Sequence, residues 1–100
     1  MNRNEHLLAC LAEEAAEVGL AIGKALRFGL TDGYPGTERT NADDIARELN
    51  DLFAVAEMLE DCGALPRRAI LQDIGEKRER VVKWMEYAEQ RGTLTPNVQK

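Results

Sequence analysis

The residues of this chain best suited to chemistry are five carboxylates in two short runs, Glu13-Glu14-Ala15-Ala16-Glu17 and Glu48-Leu49-Asn50-Asp51. Glu14 and Glu17 stand three apart, as do Glu48 and Asp51, so each pair shares one face of a helix. Like charges placed that close oppose one another in a free helix. Carboxylate oxygens so arranged suit a hard divalent cation such as Mg²⁺, which keeps several of its waters and accepts phosphate oxygens from a substrate. The chain contains no serine, and water activated by a bound metal is a better candidate nucleophile than a covalent one.

The elements that must position these groups read as amphipathic helices. At ~100° per residue, Leu7, Leu11, Val18, Ala21, Ile22 and Ala25 share one face of the first helix, with Glu14 inside that stripe and Glu17 on its flank. The second stripe is Ile45, Leu49, Leu52, Val55, Ala56 and Leu59; Glu48 falls within it and Asp51 on its border. A lone carboxylate aimed at a core is costly, and these faces carry no equal number of basic residues. A divalent cation held between the helices resolves the conflict.

The first helix is expected to start at Asn2 or Asn4 as cap and to run to about Phe28, with Gly29 left-handed at its end. Gly19 and Gly23 within it are expected to allow a close helix approach or a kink. Residues 30–40 contain Asp32-Gly33 and Pro35-Gly36 and read as a loop, long enough to cover a site between the helices it joins. Thr40 or Asn41 caps the second helix, which ends near Asp61 before Gly63. Pro66 suits the first turn of a third helix, whose stripe is Ile70, Ile74, Val81, Met85 and Ala88 and which closes before Gly92. Met58 and Met85 are expected in the core, and Cys10 and Cys62 as buried small apolar groups. The expected fold is all-α: an antiparallel bundle of three long helices, one domain over 1–92 with a loose tail at 93–100. Three such rods leave apolar surface uncovered, so homo-oligomerisation to a homodimer or homotetramer is expected to complete the bundle.

A net charge of −5 opposes binding of a nucleic acid polymer through a basic surface. It leaves room for a small phosphorylated ligand held through a cation. No apolar run approaches the ~20 residues that span a bilayer, so no membrane association is expected. Arg3, Asn4 and Glu5 lead straight into a periodic helix, and no signal peptide is expected there. Two cysteines without framework or finger spacing fit a cytoplasmic setting.

The two acidic runs resemble the EExxE…ExxD signature of MazG-like nucleoside triphosphate pyrophosphohydrolases. The context is similar too: Lys24-Ala-Leu-Arg27-Phe-Gly29 after the first run, and Glu48-Leu-Asn-Asp51-Leu-Phe-Ala-Val-Ala-Glu-Met-Leu59, look like the small stand-alone, including bacteriophage, members. The resemblance covers about residues 5–92, and residues 30–40 absorb a gap between the runs that is longer than in most members. It implies an all-α enzyme that hydrolyses a ribo- or deoxyribonucleoside triphosphate between its α- and β-phosphates, in nucleotide pool cleaning. Mg²⁺ would be the cofactor, with Mn²⁺ a possible substitute. Matched residue by residue, Glu14, Glu17, Glu48 and Asp51 would be the metal ligands, with Glu13 a further ligand, water-holder or base, and all five would be catalytic.

Basic residues should hold phosphate oxygens that a metal leaves uncovered. Lys24, two turns beyond Glu17 on the same flank, is the first candidate, followed by Lys77 beside the third stripe and by the less well aligned Arg27. The plainer roles are helix-end cations for Lys24 and Arg27, and an ion pair with Asp73 for Lys77. Trp84, Tyr87 and His6 can approach a base, although Trp84 and Tyr87 suit packing or an interface equally. The alternative function is a non-enzymatic acidic helical oligomerisation or adaptor module, its carboxylates facing solvent.

Overall fold

The computed structural model describes residues 1–96, and within them the chain forms three helices and no strand: α1 (Arg3–Phe28), α2 (Asn41–Asp61) and α3 (Ile70–Arg91). The first begins where the Asn2 side chain accepts the Glu5 N–H at 2.8 Å, satisfying one of the amides that a helix start leaves without partners. At its other end Gly29 has φ 100° and ψ 150°. The positive φ is as expected, but ψ is extended and not left-handed helical, because the chain leaves the helix axis to enter the 29–40 connection.

That connection is folded down onto the start of α2. The Asn41 N–H donates to the Asp32 carbonyl at 2.6 Å, and the Ala42 N–H to the Leu30 carbonyl at 3.0 Å. The Asn41 side-chain amide, only 3% exposed, donates to the Gly29 carbonyl at 2.8 Å. The first amides of α2 are thereby spent on the loop. The Thr37 N–H and hydroxyl both reach the Tyr34 carbonyl, and the Gly33 α-carbon lies so close to the Arg39 carbonyl that a side chain there would collide with it. Thr40 is the cap of α2: its hydroxyl accepts the Asp43 N–H at 3.1 Å while the Asp43 carboxylate accepts the Thr40 N–H at 2.9 Å. This reciprocal box holds the Asp43 carboxyl below its ordinary range. Gly63, with φ 80°, turns the chain out of α2.

The chain groups into two compact units, Met1–Pro66 and the part from Arg67 onward. In the first, the stripes of α1 and α2 face each other. Asn4 Oδ1 lies 3.6 Å from Cys62 Sγ, joining the start of one helix to the end of the other. Leu7, Ala25 and Leu59 are buried, Leu59 completely, and Leu11, Val18, Ala21, Ile45, Leu49, Leu52, Val55 and Ala56 are half-buried. Two helices cover only one stripe each, so residues at the stripe edges stay wet: Ile22 is exposed, and Met58 at 47% exposure is not the core residue expected. Cys62 is exposed and Cys10 half-buried, which corrects their expected burial.

In the second unit α3 begins at Ile70, not at Pro66. Neither Arg67, Arg68 nor Ala69 carries a side-chain acceptor for a first-turn amide, and Ala69 makes no side-chain cap bond. The expected stripe of α3 is not buried: Ile70, Ile74, Val81 and Met85 are each about half exposed, and Ala88 is half-buried. Trp84 and Tyr87 pack edge to face, 5.6 Å apart. Gly92, left-handed, ends the helix, and the Thr93 and Leu94 amides close back on the Ala88 carbonyl. These two residues belong to the stretch expected as a loose tail, 93–100; residues 97–100 lie outside the described residues.

Asn41 ties the loop to the helix through a buried amide, and its loss leaves the Gly29 carbonyl without that donor. Asn41→Ala is therefore expected to lower stability by ~1–3 kcal/mol in equilibrium urea unfolding, against less than ~0.5 kcal/mol for a substitution at exposed Glu57.

Candidate metal centre and adjoining groove

The apolar stripes that pair α1 with α2 carry their carboxylates inward with them. Oxygens of Glu14, Glu48 and Asp51 all lie within 4.8 Å of one another, with Glu14 and Glu48 half-buried and Asp51 exposed. The trio is thus assembled across the helix pair, one arm from α1 and two from one face of α2, and it opens to solvent at Asp51. Partial burial raises the Glu14 carboxyl above its ordinary value of 4.5, reinforced by the charges of Asp51 and then Glu48, with smaller effects from Glu13 and Glu17. The carboxylates across the interface therefore act on Glu14 more strongly than those on its own helix.

Three carboxylates that close repel one another, and a proton or a cation among them relieves the repulsion. The donor set is all oxygen and all anionic, and it is partly wet, which fits a hard divalent ion retaining some of its waters. Glu13 and Glu17 are exposed and fall outside the trio. Glu17 instead lines an adjoining groove.

That groove, of about 1020 Å3, runs between the second half of α1 and the first half of α2, with Glu17 and Glu48 at its acidic end. Lys24 and Arg27 line it, as the sequence suggested for a phosphate site, and so do Arg39 and Arg47. Arg39 is paired with Asp44 at 2.7 Å. Among the described residues Lys24, Arg27 and Arg47 make no ion pair, and the Arg27 guanidinium lies 4.9 Å from the centre of the Phe28 ring. Three cations thus share one trough that begins at a carboxylate cluster. Gly19 and Gly23 also line it, and nothing lies within 4 Å of where a side chain would start at either. The expected close helix approach is absent; the two glycines leave the trough its width. Lys77, the third expected phosphate contact, is on α3, in the second unit.

Arg47, Arg39 and Asn41 escaped sequence reasoning as groove residues. For Arg47 a signal existed: Asp44, Arg47, Glu48 and Asp51 follow helical spacings of three and four and so share a face. Arg39 and Asn41 had none, since their placement depends on how the loop folds.

No protein-family model matches this chain, and no curated protein or solved structure shows significant similarity to it.

The sign of the pH effect follows from the raised Glu14 carboxyl. The folded protein keeps that proton at pH values where the unfolded chain has lost it, so stability without metal falls as pH climbs through the raised value, above 4.5. Added Mn²⁺ is expected to restore the loss by replacing the proton. Glu14→Gln should raise the melting temperature of the metal-free protein at neutral pH and abolish the further rise with Mn²⁺. Thermal unfolding with and without the ion reads both effects.

Proposed function

We propose that this chain is a Mg²⁺-dependent nucleoside triphosphate pyrophosphohydrolase, as its resemblance to the MazG-like enzymes implies. The observation that carries the reading is that Glu48 of an all-carboxylate trio also lines a trough in which Lys24, Arg27 and Arg47 make no ion pair among the described residues. A single site with both features suits a ligand that is itself a metal-binding polyanion, and a triphosphate is one. Either feature alone is commonplace.

Glu14, Glu48 and Asp51 would hold the ion, and Glu17, which lines the trough with Glu48, would join them or fix a water. A Mg²⁺ held there would supply charge neutralisation for the phosphates and lower the pKa of the attacking water. Lys24, Arg27 and Arg47 bind the remaining phosphate oxygens and orient the chain of phosphates along the trough. The water oxygen bonds to the α-phosphorus as the bond from that phosphorus to its bridging oxygen breaks. Pyrophosphate leaves with the bridging oxygen, and the monophosphate remains. Glu13 or Glu17 accepts the proton that the water gives up.

The exposed stripe of α3, together with Trp84 and Tyr87, supports a second part of the reading: a homodimer or homotetramer in which copies complete an antiparallel helical bundle. Such large apolar residues spaced along one helix suit coverage by another chain. The same stripe is what favours the non-enzymatic adaptor module. That alternative gives the cation-lined trough beside the carboxylates no task.

Incubation with each canonical nucleoside triphosphate and Mg²⁺ is expected to release pyrophosphate and monophosphate from at least one, and none after chelation. Glu48→Gln should lower kcat/KM by on the order of 100-fold or more. Lys24→Ala should act mainly on KM, by about 10- to 100-fold. Absence of turnover with every nucleotide would favour the adaptor.

A further inference from the structure

The connection between α1 and α2 makes a second cavity, of about 440 Å3, lined by Asp32, Gly33, Tyr34 and Pro35. It adjoins the trough, since Lys24, Phe28, Arg39, Asn41 and Asp44 line both. The carboxylate Glu48 and the loop residues 32–35 therefore belong to neighbouring depressions with Lys24 between them.

This second chamber differs from the trough in chemistry. Its loop side is Asp32, Gly33, Tyr34 and Pro35, facing Phe28 at the end of α1. Tyr34 is 77% exposed and Phe28 56%. Neither ring serves the core, and both stand beside the end of a polyanion trough. The Phe28 ring already carries the Arg27 guanidinium over it, which leaves Tyr34 as the open face; an aromatic face beside a groove lined by cations is a usual platform for a nucleic acid base, since every base has a π-face to stack.

The loop is also built rather than slack. Asn41 and Ala42 fasten its Asp32 and Leu30 carbonyls to the start of α2, and Thr37 closes a turn on the Tyr34 carbonyl. The contact of Gly33 with the Arg39 carbonyl leaves no room for another residue at that point. A platform held this way needs little ordering when a ligand arrives, and such preorganisation raises affinity.

Resting on the triphosphate reading above, we propose that the 29–40 connection is the nucleoside pocket of this protein, with Tyr34 as the stacking platform for the base. The phosphates run from the chamber along Lys24 toward Glu48, so the base lies on the other side of Lys24 from Glu48. Asp32, a carboxylate on the chamber wall, favours bases whose edge donates hydrogen bonds over those whose edge only accepts.

The test compares two probes that share a triphosphate and differ in the base: inorganic tripolyphosphate and an α,β-methylene nucleoside triphosphate that resists cleavage. Both are titrated calorimetrically into the full-length protein with Mg²⁺. The nucleotide analogue is expected to bind more tightly to the wild type. Tyr34→Ala should weaken it by about 5- to 150-fold, the span of stacking on one base, while leaving tripolyphosphate unchanged. Tyr34→Phe, which keeps the ring, should retain wild-type affinity, and circular dichroism checks that each variant is folded. Equal affinity of the two probes for the wild type, a parallel loss of both in Tyr34→Ala, or no binding of the nucleotide analogue overturns the pocket. Hydrolysis is read separately. If no nucleotide is cleaved yet analogue binding depends on Tyr34, the pocket stands and the hydrolase reading falls; if cleavage proceeds and Tyr34→Ala leaves analogue affinity unchanged, the reverse holds.

Discussion

Mutual repulsion among Glu14, Glu48 and Asp51 is the constraint around which the first unit is arranged. Apolar contact between α1 and α2 brings these oxygens within 4.8 Å of one another, so forming the helix pair draws the three charges together. Leu7, Ala25 and Leu59 are the buried residues that hold the pair together, at positions along the stripes that also contain Glu14 and Glu48. Hydrophobic burial here works against Coulomb repulsion, and the conflict is partly relieved at Glu14, whose carboxyl is held protonated to higher pH than usual by burial and by its two partners across the interface. A proton can relieve one charge. A divalent cation relieves all three carboxylates at once while using each as a ligand.

The second feature of consequence is the way the start of α2 is employed. A helix N-terminus has amides to offer, and in many proteins these go to a side-chain cap or an anion. Here the Thr40–Asp43 box takes part of that role, while Asn41 and Ala42 give their amides to the loop. The trough is consequently walled by side-chain cations, Lys24 and Arg27 from α1 and Arg47 from α2. Lys24, Arg27 and Arg47 thus line one trough with Glu17 and Glu48, despite a net charge of −5, while Asp44 at the loop end is paired with Arg39.

How much of this could be read from the chain depended on the range of the interaction. The helix caps at Asn2 and Thr40 and the stripes of α1 and α2 were legible, because each is set within a few residues or by a simple period. The inward placement of Glu14 and Glu48 followed from the same period. Asn41 could be recognised as a cap candidate, but not as the buried link to Gly29, since that bond spans twelve residues and exists only once the loop is folded. Of the close approach or kink expected at Gly19 and Gly23, the close approach is absent: glycine signals room, without saying what will occupy it. For α3 the period was legible, but Met85, expected in the core, is half exposed, because an apolar stripe states a need for cover without identifying what supplies it.

The central claim, that the trio is a cation site, is tested most directly by diffraction from crystals soaked in Mn²⁺. Anomalous difference density is expected between the carboxylates of Glu14, Glu48 and Asp51, and absent from crystals of Glu48→Gln soaked alike. Density elsewhere only, or none at the trio in a well-ordered crystal at millimolar Mn²⁺, would contradict it.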